Sequence, residues 1–535
     1  MAAASPSTSD AAERLARLVQ RLRRLVRGEL ILAGGHARLQ PQDETDVATA
    51  LELARELAVP VRFGGVTGDL PAVLAGHADS SRGGLPGLQI DASSHLTRAA
   101  RFDGARGMIE VQPGVRLADL NRLLQPHGWW LPIETHPESG ATLGGLVGLD
   151  AAAAAPAWGT LADRLLGIDA ILDDGTRQLF GPFGERSSVS LNSGRAGQLV
   201  SSLFGIAAGV QADMARHWPP GQRVPDGYLL DVFHPRPQRP YTPDGSVNLA
   251  HLLAGSAGTL AWSARLHLRL LRRPAVSRWA LFLQPSAAAA LTHAPAVLAL
   301  QPSAALLLDA ADLRRLAGSR HPDDQALCRL AGIGPDMSGR PDGTQQGEAG
   351  PAAWLVRFSG EVGADVQAAH RRLTALLDPR RQEGAAGLTL QAGGGLQSHG
   401  RTAAGDVQPV WQVLLGERVS PTSPPSACII PLLPQDPAAL AGLVSALDER
   451  LASQGVQPSW RGQVATGELQ LVVPEGAGPL ARQGLAATLP PRWTQALREA
   501  FAEVHRQFDP TGILLGGRRQ PVMDGTSFAR KMNPC

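Results

Sequence analysis

Apolar residues near the N-terminus recur at helical spacing. Leu15, Leu18, Leu22 and Leu25 alternate with arginines at positions 14, 17, 21 and 24. This pattern predicts an amphipathic helix over 13–27. We expect its apolar face to pack on the protein's own body, and the alternative is a helix that binds a membrane surface or a partner.

The next apolar stretches alternate between helix and strand patterns. Thr45-Asp46 reads as a helix start, and this helix runs into a short strand over 59–62 that ends at a glycine-rich loop. Further on, 108–111 predicts a strand and 117–124 predicts a helix that is stopped by Gly128. A helix, a strand and a glycine loop in this order are typical of a phosphate site.

Further strand and helix patterns follow from residue 165 onward. An apolar strand over 165–172 is closed by the hairpin turn 173–175 and continues into 176–180. From about residue 275, helical stretches such as 287–300 alternate with strands such as 353–358, which indicates a second domain. Close to the end, a helical stripe ends at the stop signal 509–512; it consists of Leu497, Phe501, Val504 and Phe508.

Three loops of small residues lie in the first half of the chain. They cover 62–68, 139–145 and 255–259 and are rich in Gly, Thr and Ser. Loops of this kind let backbone N–H groups approach a pyrophosphate with no Cβ in the way. Their order favours a flavin-binding protein.

Length and composition exclude several other classes. A chain of 535 residues should divide into roughly two to four domains. Hydrophobic residues at 44% and charged residues at 18% are typical of a globular protein, and a net charge of +2 gives no case for nucleic acid. The only lysine is Lys531, close to the C-terminus, so a pyridoxal Schiff base and a Walker-type phosphate lysine are both excluded.

The cysteines exclude further sites. Cys328, Cys428 and Cys535 are far apart and none belongs to a Cys-x-x-Cys pair, so they supply no ligand set for an iron–sulfur cluster or a structural zinc. An odd number of cysteines also disfavours a disulfide framework and suits a reducing compartment. Since no run of 18 apolar residues and no apolar signal core occurs, we expect a soluble, cytoplasmic protein with no membrane span.

Seven segments, taken in order, resemble a known family, the FAD-linked oxidases of the vanillyl-alcohol oxidase type with a PCMH-type FAD-binding domain. The segments are 108–121, 125–128, 141–145, 172–175, 227–228, 251–260 and 508–514. The spacing from Tyr228 to the third loop, and the tail 521–528, are most similar to the N-terminal flavin part of bacterial D-2-hydroxyglutarate dehydrogenase-like and glycolate oxidase-like proteins.

The resemblance implies an α+β fold: a two-lobed PCMH-type FAD-binding domain plus an α+β cap domain with an antiparallel sheet. It divides the chain into an N-terminal amphipathic helix, an FAD-binding domain with lobes of about 30–100 and 101–275, a cap or substrate domain, and a C-terminal helix with a tail that returns to the FAD domain. The corresponding boundaries are 1–29, 30–275, 276–490 and 491–535.

The resemblance also implies FAD as the cofactor and assigns its contacts. The first loop would place Arg62, Gly64, Gly65, Thr67 and Gly68 at the pyrophosphate. The second loop, together with the turn that follows it, would flank the flavin and its ribityl chain with Gly140, Ala141, Thr142, Gly144, Gly145, Gly159 and Asp163. Gly258 and Thr259 of the third loop would form the third contact. The alternative for any one loop is that its glycines only close turns.

Several residues depart from the family's pattern. Phe63 and Val66 interrupt the first loop, so a side chain enters space meant for phosphate, and Ala257 stands where the family has an acidic residue. In the cap, Gln463 and Gln470 stand where the hydroxyacid branch carries two histidines that hold a metal and position the substrate. Glutamine has no nitrogen that titrates near neutrality, so it serves neither as a general base nor as a good ligand for a transition metal, and we expect no metal site.

Two other histidines are candidates for a base. His136 precedes the second loop, and His399 lies in a glycine-rich stretch of the cap. The alternatives are a turn histidine bonded to backbone for His136 and a solvated loop histidine for His399.

These observations leave three functions open. The first is an FAD-dependent oxidoreductase that transfers a hydride from a small 2-hydroxyacid to flavin. The second is a flavin-binding electron-relay subunit of a multi-chain dehydrogenase, which would work beside an iron–sulfur partner chain. The third is a non-catalytic descendant, or pseudoenzyme, that keeps the fold for binding or assembly.

Overall fold

We describe the protein from a computed structural model. The structure describes residues 8–64, 86–133, 140–151, 158–184, 194–218, 227–234, 247–319, 324–325, 328–329, 351–377, 388–391, 427–432, 436–466, 468–488 and 493–515.

The N-terminal part is a four-stranded sheet covered by two helices. Its helices are α1 (Thr8–Leu25) and α2 (Glu44–Glu56), and its strands are β1 (Glu29–Ala33), β2 (His36–Gln40), β3 (Val61–Gly64) and β4 (Leu88–Asp91). The sheet order is β1-β2-β4-β3, with β2, β4 and β3 parallel and β1 antiparallel to β2. Leu15, Leu18 and Leu22 of α1 are buried in the core of this part, so the predicted packing of the first helix on the protein itself is confirmed.

A five-stranded antiparallel sheet forms the second part, with two short ribbons beside it. The sheet order is β5-β6-β12-β8-β9, and the ribbons are β7–β13 and β10–β11. The strands are β5 (Ala99–Asp103), β6 (Met108–Val111), β7 (Trp129–Trp130), β8 (Leu165–Ile171), β9 (Arg177–Phe180), β10 (Pro182–Phe183), β11 (Val247–Asn248), β12 (Trp262–Arg269) and β13 (Leu271–Arg272). The predicted hairpin is confirmed: the N–H of Leu172 donates to Thr176 O at 2.9 Å, and Gly175 has a φ of +79° in the turn.

Five helices accompany this sheet and share one apolar core with it. They are α3 (Leu117–Leu124), α4 (Leu143–Gly148), α5 (Arg195–Gly209), α6 (Gln211–His217) and α7 (Ala250–Leu253). The predicted stop of α3 is confirmed, because Gly128 lies in the left-handed region with a φ of +70°.

The cap is a seven-stranded sheet of order β17-β14-β16-β15-β19-β20-β18 in which every pairing is antiparallel. Its strands are β14 (Val276–Gln284), β15 (Ala304–Leu308), β16 (Ala352–Gly360), β17 (Leu388–Gln391), β18 (Ala427–Pro431), β19 (Ser459–Gln463) and β20 (Glu468–Pro474). Its helices are α8 (Ala287–Thr292), α9 (Ala294–Ala299), α10 (Ala310–Ala317), α11 (Gly363–Leu377), α12 (Leu440–Ala452) and α13 (Gly478–Thr488). The α+β class with an antiparallel sheet is therefore confirmed.

The two faces of the cap sheet are covered differently. One face buries a large core in which Trp354 and Trp460 pack, and the other buries a smaller cluster that contains Leu306 and residues of α10. The single helix predicted over 287–300 is wrong: the chain forms α8 and α9, because Pro295 occupies the first turn of a new helix after His293.

The last helix, α14 (Gln495–Phe508), has the predicted apolar stripe, and all four stripe residues are buried in the core of the second part. After α14 the chain pairs with β3, since Val61 N donates to Ile513 O at 2.7 Å and Leu515 N donates to Val61 O at 2.8 Å. Within the described residues no helix is both long enough and apolar enough to cross a membrane. The domain boundaries and the cytoplasmic location stay predictions.

Candidate functional site

The first and third small-residue loops touch, and the third is bonded to the helix that follows the second. A Cβ added at Gly258, in the third loop, would lie 2.7 Å from Cδ2 of Phe63, so the first and third loops touch there. The third loop is bonded to the end of α4, which follows the second loop: Gly255 N donates to Val147 O at 2.9 Å, and Ala257 N donates to Gly148 O at 2.8 Å. We call Phe63, Val147–Gly148 and Gly255–Thr259 the loop junction.

The first loop leaves the sheet at the end of β3. The parallel strands β2, β3 and β4 present their carboxyl ends at the same edge, which is where ligands of open α/β sheets bind. Arg62 and Gly64 are half-buried in β3. The ring of Phe63 lies against Gly258 of the third loop. The other three predicted contacts of this loop lie outside the described residues: Gly65, Thr67 and Gly68.

The second loop leads into α4. The Thr142 hydroxyl caps this helix by accepting from Gly145 N at 3.4 Å, and Ala141 is buried beside it. The N–H groups of Leu143 and Gly144 donate to Val115 O at 2.9 Å and Pro113 O at 2.8 Å. These two N–H groups therefore bond to backbone carbonyls of the protein itself.

Gly144 has a packing role of its own. A Cβ at this position would lie 2.7 Å from Cβ of Pro113, so only glycine allows α4 to approach the preceding turn. Gly140 is half-buried just before the helix. For Gly144 this contact agrees with the alternative that the glycine serves the fold.

Two carboxylates beside the junction are turned toward backbone N–H groups. Asp163 accepts from Thr160 N at 2.7 Å, in a turn that Gly159 opens with a φ of +72°. Asp150 accepts from Ala162 N at 2.8 Å and is almost fully buried. Each carboxylate therefore holds a nearby backbone turn in place.

Two tryptophans lie next to this turn. Trp130 and Trp158 pack edge to face with their ring centroids 5.4 Å apart, and Trp158 directly precedes Gly159. The Trp130 Nε1 is buried and has no hydrogen-bond partner within the described part of the chain. A buried indole N–H normally finds an acceptor, so this group is a candidate donor for a bound molecule. Sequence reasoning missed Trp130, and its place after Gly128 was the only signal.

Tyr228 is a second residue that sequence reasoning did not assign to the site. Its hydroxyl lies 2.8 Å from the Thr259 hydroxyl, and both residues are buried. Burial raises the pKa of the Tyr228 phenol well above its ordinary value, so the group stays protonated.

The described residues of the junction fit a dinucleotide with a flavin. Apart from Phe63 they are Gly, Ala, Ser, Thr and Val, and the neighbouring carboxylates accept from backbone. Arg62 supplies a cation to the first loop, and the buried Trp130 Nε1 supplies a donor. This set matches what a diphosphate and a planar ring require: close backbone approach, positive charge and hydrogen-bond donors.

The cap places its two glutamines on one face of the ribbon β19–β20. Arg461 lies opposite Gln470 in the register, and Gln463 is two residues further along the same strand. The Gln463 Oε1 accepts from Ala305 N at 2.8 Å, and the Gln470 Oε1 accepts from Arg461 Nε at 3.4 Å. Both amide oxygens are therefore held by the cap sheet itself.

No group of three His, Cys, Asp or Glu side chains within the described ranges is arranged to hold a metal ion. His136 and His399, the two histidines considered as bases, lie outside the described residues.

Comparison with known proteins assigns residues 36–181. Residues 36–181 match a family model described as a FAD binding domain. D-2-hydroxyglutarate dehydrogenase from Escherichia coli strain K12 is 27% identical over 215 residues, which are 39% of this chain and 20% of that protein. Mitochondrial D-lactate dehydrogenase [cytochrome] from Arabidopsis thaliana is 28% identical over 138 residues, 25% of this chain and 22% of that protein. The chain thus spans about a fifth of the length of these relatives.

Solved structures share the fold over almost the whole chain. p-Cresol methylhydroxylase with substrate bound superposes with a TM-score of 0.55 at 12% identity and covers 96% of both chains. 4-Ethylphenol oxidase from Gulosibacter chungangensis gives a TM-score of 0.54 at 12% identity, over 95% of this chain and 96% of that one. Residues 36–181 are therefore a FAD binding domain of the PCMH type with FAD as its cofactor, carried on the fold of these proteins.

Proposed function

We propose that this chain is an FAD-dependent oxidoreductase of the 2-hydroxyacid dehydrogenase type. The observation that carries the proposal is the loop junction, where Phe63 contacts Gly258 and the third loop is bonded to α4. When bound, FAD would accept the hydride from the carbon that bears the substrate's hydroxyl, and the hydroxyl proton would pass to a base or to water. The names of the relatives, D-2-hydroxyglutarate and D-lactate dehydrogenases, support a small 2-hydroxyacid as the substrate.

In this proposal the chain's residues divide the work of holding FAD. Arg62 and the first loop neutralise the diphosphate, because a guanidinium forms strong charge-assisted hydrogen bonds with phosphate oxygens. Gly140, Ala141 and Thr142 with Gly145 form a wall that permits close approach. Gly258 and Thr259 contact FAD from the third loop. The remaining proposed contacts are Gly64, Gly65, Thr67, Gly68, Gly144, Gly159 and Asp163.

A second candidate is favoured by the cap ribbon. The oxygens of Gln463 and Gln470 accept from Ala305 N and Arg461 Nε, so both amides are engaged inside the sheet. A neutral amide takes up no proton near pH 7, so neither residue removes the proton of a substrate hydroxyl. A flavoprotein that relays electrons beside an iron–sulfur partner chain needs no such proton transfer at these positions.

One experiment separates these candidates. The full chain is purified, incubated with FAD, freed of excess cofactor and tested anaerobically with D-2-hydroxyglutarate and D-lactate, with the L-enantiomers as the matched control. Retained FAD that is bleached by a D-hydroxyacid supports the dehydrogenase. Retained FAD that dithionite reduces and a dye reoxidises, with no bleaching by hydroxyacids, supports the relay. A chain that folds and retains no FAD contradicts both, and a binding descendant of the fold would then be the better account.

A further inference from the structure

The third loop contains a strained turn. Thr259 N donates to Ser256 O at 3.0 Å, which closes a four-residue turn, and both central residues have positive φ values: +52° at Ala257 and +77° at Gly258. Positive φ at both central positions is the requirement of a type I′ turn, for which Gly, Asn and Asp are preferred. Alanine in this region is disfavoured by its Cβ, so Ala257 persists there only because other contacts hold it.

A chain of hydroxyl groups holds the turn from one side. The Thr259 Oγ1 donates to Ser256 O at 2.7 Å, and this single proton is then no longer available for Tyr228. The Tyr228 hydroxyl, 2.8 Å away, must therefore donate to Thr259 Oγ1. The order of donation is Tyr228 to Thr259 to Ser256, and it ends on the carbonyl that closes the turn.

The C-terminal helix holds Tyr228, the first donor in this series of hydroxyl groups, in place. The rings of Tyr228 and Phe501 pack edge to face, with centroids 6.2 Å apart and an interplanar angle of 82°. A Cβ added at Gly227 would lie 2.6 Å from Cζ of Phe501, so the backbone before Tyr228 also lies directly against α14. Since Phe501 is fully buried, the phenol has little freedom to move away from Thr259.

We propose that Tyr228 is a positioning residue for FAD: through the Thr259 hydroxyl it keeps the turn 256–259 in its strained conformation, so that Gly258 lies against Phe63 and the loop junction is formed before the cofactor binds. This inference rests on the proposed binding of FAD at the junction. If the turn relaxes in some of the free molecules, the apparent dissociation constant equals the intrinsic one divided by the fraction that keeps the formed junction, because only that fraction binds.

The test is the equilibrium dissociation constant of FAD, measured by quenching of flavin fluorescence on titration with the apo form of the full chain. Tyr228→Phe keeps the ring on Phe501 and removes the donor, and we expect FAD to bind about tenfold more weakly, the size of effect that loss of one buried hydrogen bond produces. Ala257→Gly in the Tyr228→Phe background removes the Cβ that strains the turn, so we expect it to restore most of the affinity.

The possible results distinguish failure of the proposed function from failure of this inference alone. A wild-type chain that does not bind FAD overturns the proposed function and this inference with it. Wild-type binding that Tyr228→Phe leaves unchanged, with only a lower unfolding temperature, overturns the inference alone and makes the Tyr228 hydroxyl a core hydrogen bond. A tenfold loss that Ala257→Gly does not restore also overturns it. If Tyr228→Phe does not fold, Ala257→Gly is compared with the double variant Tyr228→Phe/Ala257→Gly: equal FAD affinities support the inference, because the unstrained turn needs no hydroxyl donor, and a tenfold weaker double variant overturns it.

Discussion

The loop junction and the cap ribbon β19–β20 differ in what their residues contribute. At the junction, backbone geometry and small side chains make the contacts: Gly258 lies against Phe63, and N–H groups of the third loop bond to the end of α4. In the ribbon, side-chain oxygens of Gln463 and Gln470 complete the hydrogen bonding of the sheet. The contacts of both regions lie within the protein, and we assign FAD to the junction and no ligand to the ribbon.

This difference separates cofactor binding from substrate chemistry. Binding of a dinucleotide depends on close backbone approach, which survives as long as the glycines and their turns survive. Removal of a substrate proton depends on a titratable group, and a single substitution to glutamine removes it. The account therefore expects changes at the junction to act on FAD binding and changes in the ribbon to act on the stability of the cap.

The largest effect is expected from Gly258→Val. This substitution places a β-branched residue at a φ of +77° and a Cβ 2.7 Å from the Phe63 ring. Backbone strain and overpacking together should lower the free energy of unfolding by about 3 kcal/mol and weaken FAD binding by about 100-fold. Chemical denaturation and flavin-fluorescence titration measure the two effects.

A matched control exists for this substitution in the β1–β2 turn. Gly35 has a φ of +79° and no atom within 4 Å of an added Cβ, so Gly35→Val carries the backbone strain without the clash. We expect Gly35→Val to lower stability and leave the affinity for FAD unchanged. Equal FAD affinities of the wild type and Gly258→Val would show that the loop junction is not the FAD site.

An intermediate effect, in the cap, is expected from Asp448→Asn. Asp448 accepts from Trp460 Nε1 at 2.7 Å, and burial raises the pKa of its carboxyl from 3.8 to about 6. A folded-state pKa above the unfolded value means that the folded protein favours the protonated acid, so this group's contribution to stability is full below pH 4 and is lost as the pH rises through 6.

Asparagine keeps an acceptor for the indole and carries no charge. Asp448→Asn should therefore be more stable than wild type by about 2 kcal/mol at pH 7 and equal to it near pH 4. Thermal unfolding of both proteins across this pH range measures the difference. If the cap and the loop junction act independently, Asp448→Asn keeps the FAD affinity of the wild type. Weaker FAD binding by this variant would contradict that independence.

The smallest effect is expected from Gln463→Ala. It removes the acceptor of Ala305 N at the end of the β15–β19 ladder and should lower the stability of the cap by about 1 kcal/mol. Urea unfolding measures this loss, and the fluorescence titration should show wild-type FAD affinity. Gln463→Glu is the control, because it keeps an acceptor at the same reach. Loss of FAD binding in Gln463→Ala alone would place the ribbon in the cofactor site.

The sequence predicts those elements whose own pattern decides their structure. The stripe of α14 and the hairpin β8–β9 are confirmed, since helical spacing and an Asp-Gly turn leave few alternatives. Strand β1 was not predicted, because its residues are mostly exposed and show no alternation, so only its pairing with β2 defines it. The break at Pro295 was missed because alanine and leucine continue the helical composition across it.

The site was predictable only at the level of its loops. Glycine and threonine clusters mark where a backbone turns, so their order along the chain was visible. Contacts between distant residues were not, and the meeting of Phe63 with Gly258, the bonding of Leu143 N to Val115 O and the donation from Tyr228 to Thr259 all arise from tertiary packing. Periodicity and composition carry no information on which loop a given side chain will touch.

The proposal depends above all on FAD binding at the loop junction. Its most direct test is a calorimetric titration of the apo chain with FAD, followed by thermal unfolding of the titrated sample. The account predicts saturable binding of one FAD per chain in the wild type, a higher unfolding temperature in the complex, and strong weakening in Gly258→Val but not in Gly35→Val. A folded wild-type chain that gives no binding heat and no shift in unfolding temperature would contradict it.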